Sequence, residues 1–275
     1  SDVYKRQRLE STSNKLQKVY ERLGSGQRIN AAADDAAGLN IADRLRGDGK
    51  IASAAIRNIN DGVSTIAIAD GALEQIGNVL TRLAELAEQS ANGTYSTSQR
   101  SALDLEFTAL ASEIDRVART TTFNGVGLLS GGNAIVLQTG FDSGDDSRLT
   151  INAVTGTLQG LGLATATAPI YSLNAASSDL GASASRNALD AVNRAITSLS
   201  AARGTLGSAE SRLNTAVANL ASIRENFAAA ESRIRDTDVA ADAAELTRLN
   251  ILQNAGVSVL SQSNQIPALA LSLLR

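Results

Sequence analysis

The chain has 275 residues, 25 Lys/Arg against 28 Asp/Glu, and 43% hydrophobic content of which little is aromatic (3% of the chain). The two signs of charge are interspersed, so no basic stripe is available for nucleic acid. Histidine and cysteine are both absent, which removes disulfides, thiol or imidazole chemistry and histidine metal ligands, and argues against an enzyme, a cofactor or a metal site.

The start carries no charged n-region followed by an apolar h-region, so no cleavable secretory signal is expected. Nowhere do about 18 apolar residues run together, so no membrane insertion is expected either. Ser1–Gln7 fits none of the periodicity that begins near Leu9, and residues 1–8 read as a foreign or assembly-derived segment. Leu9, Leu16, Val19 and Leu23 then mark a short amphipathic helix, stopped by Gly24-Ser25-Gly26, and 27–42 reads as a connector.

A long helix is expected from about 43 to 92. One sevenfold series runs Leu45, Ala52, Ile59, Ile66, Leu73, Leu80, Ala87, and its companion runs Ala55, Gly62, Ala69, Ile76, Leu83, Ser90. Bulky and small layers alternate over much of this seam, and the small ones let helix backbones approach closely. Asn92-Gly93 punctuates the turn into a third helix at about 97–120, where Leu103, Phe107, Leu110, Ile114 and Val117 repeat at 4/3 spacing and Glu113 and Asp115 should face outward.

From 123 to 181 the character changes. Gly125, Gly127, Gly131 and Gly132 break helix, and alternating runs at 135–141 and 149–153 flank Asp142–Ser147, which predicts a β-hairpin. Residues 156–182, rich in Thr, Ala, Ser and Gly and containing Pro169, read as a short variable insert with an exposed surface. Helix resumes at about 183. Its seam is the clearest signal in the chain: Val192, Leu199, Leu206, Leu213, Leu220, Phe227 and Ile234 repeat every seven residues, each preceded four places earlier by Ala188, Ala195, Ala202, Ala209, Ala216, Ile223 or Ala230. A seam this long specifies supercoiled packing, and over 188–234 it makes a rod of roughly 70 Å that needs another rod against it. After Arg235–Asp238 a last helix runs from about 239, with a stripe of Val239, Ala243, Leu246, Leu249, Val257 and Leu260 and a polar face of Asn250, Gln253, Asn254, Gln262 and Asn264.

Carboxylate pairs elsewhere have plain readings. Asp34-Asp35 sits before a helix start, where acidic side chains cap and favour the dipole. Asp142, Asp145 and Asp146 lack EF-hand spacing and a terminal Glu, so a polar turn is expected rather than calcium. Gly24-Ser25-Gly26 and Gly125-Val126-Gly127 lack a phosphate-loop pattern.

Several blocks in order resemble the bacterial flagellins. Ser25-Gly26-Gln27-Arg28-Ile29-Asn30 followed by Asp34-Asp35-Ala36-Ala37-Gly38-Leu39 is similar to their N-terminal signature. Glu113–Val117 with Phe123-Asn124-Gly125 is similar to the end of their third rod helix. Arg233–Val239 and the ending Pro267–Arg275 resemble their C-terminal region. The likeness covers about 9–155 and 183–275. It implies a structural subunit that polymerises into the extracellular flagellar filament, exported unfolded through the flagellar type III channel. The implied partners are other flagellin subunits, the flagellar cap, the junction protein and a secretion chaperone.

The expected fold is mainly α: an elongated bundle of long coiled-coil helices with a small β-hairpin region in the middle. By the resemblance, 9–42 is an inner-tube helix and connector, and 239–275 is the C-terminal inner-tube helix. The rod domain would be made of 43–155 and 183–238. Leu16, Val19, Leu23, Leu246, Leu249, Val257 and Leu260 would be the inner-tube assembly residues. Relatives carry an apolar, Asn-rich stretch ahead of the position of Leu9, so a chain beginning with SDVYKRQ is expected to assemble poorly. Some flagellins are detected by an innate immune receptor through the rod helices. Arg82, Leu86 and Glu106 match that patch, whereas Ala84 and Leu110 replace basic residues and Glu88 replaces an apolar one. Alternatives are a hook–filament junction protein, which shares similar ends, an adhesion module whose insert binds a ligand, or a carboxylate hydrolase.

Overall fold

Sevenfold stripes dictate helix over most of the chain, as seen in the computed structural model, which describes residues 2–165 and 170–273. Pro169, Leu274 and Arg275 lie outside the described residues. In chain order the elements are α1 (Asp2–Ser25), α2 (Ala36–Ala91), α3 (Thr97–Thr120), β1 (Thr122–Phe123), β2 (Val126–Gly127), β3 (Ile135–Gln138), a 3-10 turn (Asp145–Ser147), β4 (Arg148–Ile151), α4 (Ser178–Arg235) and α5 (Val239–Leu273). They form two compact units, Ser1–Lys50 with Ile223–Arg275 and Ile51–Ser222.

Three helices start earlier than the periodicity suggests. α1 begins at Asp2 rather than near Leu9, so the opening segment is helical. α2 begins at Ala36 rather than near 43, and α4 at Ser178 rather than near 183. The cause at α2 is a cap: Gly38 N donates to Asp35 Oδ1 at 2.8 Å, which satisfies an otherwise orphaned amide at the helix start. First turns that pack little hydrophobic surface leave no stripe to read. α3 starts where expected, on a capping box in which Gln99 N donates to Ser96 Oγ and Ser96 N donates to Gln99 Oε1.

Within the Ile51–Ser222 unit, α2 and α4 run antiparallel: Arg203 meets Asp70, Leu199 meets Gly77, and Ser185 meets Ser90. α3 folds back on α2, with the Arg82 guanidinium donating to Glu106. The core draws on all three helices, from Ala52 and Ile59 through Leu86 on α2, Phe107 and Ile114 on α3, and Ala188 through Leu220 on α4. Glu113 and Asp115 sit at its surface, paired with Arg116 and Arg119.

The predicted hairpin is β3 and β4, in register Ile135↔Ile151 to Gln138↔Arg148. Leu149 and Ile151 face the core. Its turn is closed by Asp142 Oδ1, which accepts from Gly144 N at 3.0 Å and from the Ser147 hydroxyl; these bonds hold the Asp142 carboxyl below the usual aspartate range. A second ribbon, β1–β2, turns through Asn124 (φ 49°) and Gly125 (φ 78°), the left-handed pair that a two-residue type I′ hairpin demands.

Two expectations need correction. The insert is not simply an exposed surface: Leu158, Leu161, Leu163 and Leu173 are 0–6% exposed within the same core, and Ile170 N donates to Leu163 O. Small seam residues do not serve only helix–helix approach. A Cβ at Gly62 would come within 2.2 Å of Leu137 Cδ1, so that notch in α2 receives the β3 hairpin.

Candidate assembly surfaces

In the unit made of the two chain ends, α1 and α5 run antiparallel. Lys5 Nζ donates to Ser263 Oγ at 2.8 Å, Leu9 lies against Gly256, and Arg22 pairs with Asp242 at 3.4 Å. The core between them is thin. Leu16, Val19 and Leu249 are buried, and Leu23 and Leu246 pack half-buried around them. The face of α5 that meets α1 is Asp242, Leu246, Leu249, Gln253, Gly256 and Leu260, each buried or half-buried. Gln253, expected on the polar face, therefore belongs to the packed one. Val257, expected on the packed stripe, is 51% exposed.

The other side of α5 is apolar too. Ile251, Leu252, Ala255 and Val259 recur at i, i+1, i+4 and i+8, and the three large ones are 62%, 47% and 54% exposed. Apolar residues thus lie on two sides of α5, while Asn250, Asn254 and Ser258 make a third side polar; among the described residues only the first apolar side packs against another helix.

The connector is held by main-chain pairing with the end of α4. Gln27 and Asp236 form an antiparallel bridge, Arg28 N donates to Arg235 O, and Thr237 N donates to Gly26 O. Side chains close the same junction: Arg28 Nη2 donates to Ile234 O at 2.7 Å, and Arg235 donates to Gln27 Oε1 and Asp43 Oδ1. Arg46 pairs with Glu231. Asp34 ties the loop to itself, because Asn30 N and Ala31 N both donate to its Oδ2. Those amides, with the Lys18 ammonium beside them, hold the Asp34 carboxyl below its ordinary value. Asp34 and Asp35 thus act on backbone amides on two sides of a turn.

The seam positions fall on the inward faces. Ile59, Ile66, Leu73 and Leu80 of α2 are 0–2% exposed, and Val192, Leu199, Leu206, Leu213 and Leu220 of α4 are 0–5% exposed. Phe227 and Ile234, in the unit of the chain ends, are half-buried. Of the three patch residues on α2 and α3, Leu86 is fully buried. Arg82 and Glu106 are at the surface and paired with each other at 2.9 Å.

Sequence reasoning missed the most constrained polar residue, Arg100. It is 0% exposed. Its Nε donates to Ser90 O at 2.8 Å, Nη1 to Ser178 O and Oγ at 3.0 and 3.2 Å, and Nη2 to Asn92 O at 2.8 Å. Beside it, Ser185 Oγ donates to Ser90 Oγ and Gly181 O. Arg100 thereby satisfies carbonyls that the C-terminus of α2 leaves without intrahelical donors. The only signal was a lone arginine one turn into a helix, which looks like any solvated charge.

Comparison with known proteins gives a consistent result. The model of the bacterial flagellin N-terminal helical region matches residues 2–134, and that of the bacterial flagellin C-terminal helical region matches residues 189–274. A flagellin of Halalkalibacterium halodurans is 39% identical over 263 residues, spanning 95% of this chain and 93% of the relative. The flagellar filament 30.7 kDa core protein of Treponema maltophilum is 34% identical, spanning 96% of this chain and 94% of the relative. A solved Vibrio parahaemolyticus structure, described as a flagellar hook-associated protein, is 14% identical at a TM-score of 0.58 over 74% of this chain and all of the other, a likeness of fold alone.

Proposed function

Since this chain belongs to the bacterial flagellin family and is a structural subunit of the flagellar filament, we propose that it polymerises by burying the outward side of α5, with α1, against other copies of itself. The observation that carries this reading is the unpartnered stripe Ile251, Leu252, Ala255 and Val259. Fully burying one aliphatic side chain from water is worth about 1.5–3 kcal/mol. At roughly half exposure, each of the three large residues offers about 1 kcal/mol per subunit. Thin packing between α1 and α5 leaves that pair marginal alone, so ordering of the ends is coupled to assembly. Head-to-tail contacts of two different surfaces that do not close a ring give an open helical polymer.

In this reading Leu16, Val19, Leu23, Leu246, Leu249, Val257 and Leu260 make the inner wall of the assembly. The seams of α2 and α4, with Phe227 and Ile234, make the stiff rods. The subunit performs no catalysis and meets the flagellar cap, junction protein and a secretion chaperone on its route. Among the described residues no helix is long and apolar enough to cross a membrane.

Negative-stain electron microscopy of the concentrated protein, given an apolar, Asn-rich start like that of its relatives ahead of Leu9, with and without filament seeds, tests the proposal. Long filaments are expected. A monodisperse monomer at high concentration in the presence of seeds would refute it.

A further inference from the structure

The corner between α2 and α3 is an Asn-Gly turn whose side chain is already folded over the next peptide. Tyr95 N donates to Asn92 O at 3.3 Å, and Thr94 N donates to Asn92 Oδ1 at 3.1 Å. Both Asn92 and Gly93 are exposed. Gly93 N makes no hydrogen bond among the described residues, and nothing lies within 4 Å of where a Cβ would stand on Gly93. We propose that this corner is a self-modifying site, at which Asn92 converts without an enzyme to aspartate and isoaspartate.

The chemistry needs only water. Gly93 N, after giving its proton to solvent, attacks Asn92 Cγ, and the former Oδ1 carries the developing negative charge. Thr94 N–H already donates to that oxygen, so it stabilises the charge where it forms. The Cγ–Nδ2 bond then breaks, and the nitrogen takes up a proton and leaves as ammonia. Water opens the resulting five-membered imide at one of its two carbonyls. Attack at Cγ gives aspartate; attack at the main-chain carbonyl gives isoaspartate and a free α-carboxylate. The net change is one water consumed and one ammonia released.

Arg100 decides between the products. Its Nη2 donates at 2.8 Å to Asn92 O, the main-chain carbonyl oxygen. That bond polarises the carbonyl whose opening yields isoaspartate, and the carboxylate formed there faces a fully buried guanidinium whose described partners, Ser90, Asn92 and Ser178, are all neutral oxygens. Charge-assisted bonds are roughly twice as strong as neutral ones, so the folded corner favours isoaspartate.

The chain has one other Asn-Gly pair, Asn124-Gly125, and it supplies an internal control. Its turn is clamped by the ladder pairs Phe123↔Val126 and Thr122↔Gly127. Swinging the Asn124–Gly125 peptide into a ring would break that pairing. At Asn92 no ladder flanks the corner.

The test is peptide mapping by mass spectrometry, with isoaspartate resolved from aspartate, on the full chain aged at neutral pH and physiological temperature, folded and in denaturant. Gly93→Ala is the matched variant, because its φ lies outside the left-handed region and its Cβ has open space. Expected are conversion at Asn92 ahead of Asn124 in the folded chain, a rate lower by roughly tenfold in Gly93→Ala where the methyl hinders approach, and an isoaspartate-to-aspartate ratio about twofold or more above that of the denatured chain. Three results would each overturn the proposal: a folded Asn92 that stays intact while Asn124 converts, an unchanged rate in Gly93→Ala, or a ratio equal to that of the denatured chain.

Discussion

Replacing Arg100 by methionine keeps most of the side-chain volume and removes every donor. Three main-chain carbonyls and one hydroxyl then lose the arginine's donation, although Asn92 O keeps its bond from Tyr95 N. The bond to Ser90 O is buried and those to Ser178 and Asn92 are part-buried, so water can replace the latter more readily. A buried acceptor left unsatisfied costs about 1–3 kcal/mol. The part-buried pair adds about 1 kcal/mol more, from the lower end of the same range. Against this stands relief from burying a charge with no carboxylate beside it, which makes some buried ions replaceable by apolar groups. That relief applies in full only when the partners are replaced too, and main-chain carbonyls cannot be. The balance is a loss of about 2–4 kcal/mol. For a unit of this size each kcal/mol moves the melting temperature by about 2–4 °C, so Arg100→Met should melt about 5–15 °C below the parent by circular dichroism. Arg100→Lys, with one point of donation instead of a fork, should fall between the two. A methionine variant melting within about 1 °C of the parent would refute the claim that Arg100 holds the end of α2.

Three further outcomes follow from the same structure. Leu213→Ala empties a fully buried seam position and should cost about 3 kcal/mol in denaturant titrations. Paired Ile251→Asp and Val259→Asp substitutions sit on an exposed face, so they should leave the melting temperature of the single chain within about 2 °C while abolishing filaments under the electron microscope. The Arg203 guanidinium, by hydrogen bonding, holds the Asp70 carboxyl below its ordinary value of 3.8. Because the folded carboxyl is the stronger acid, this pair adds stability above that pH and loses it as pH falls further. Asp70→Asn should therefore cost less than about 1 kcal/mol at neutral pH, given how exposed the pair is, and match the parent in strong acid, as pH-dependent unfolding would show.

The helical seams could be read directly because a period of seven leaves an unmistakable mark: a position such as Leu213 has one face to hide and the sequence shows it seven residues at a time. The hairpin of β3 and β4 was equally visible from its alternation around the Asp/Gly cluster. What escaped depends on contacts between distant segments. Leu158, Leu161, Leu163 and Leu173 have no period of their own; they are buried because the insert folds onto helices already in place. Gly62 looked like a small layer between helices, and only three-dimensional packing shows that Leu137 fills it. On α5 the pattern misled for a physical reason. Apolar residues on two sides of α5 leave no single stripe, so Val257 and Gln253 could not be placed until α1 was laid against it. That same ambiguity marked the surface on which assembly is proposed to depend.

Amide hydrogen exchange across Val239–Val259 compares the free subunit with the polymer most directly. The proposal predicts rapid exchange in dilute solution and strong protection of Ile251 to Val259 once filaments form. Equal protection of that segment in both states would contradict it.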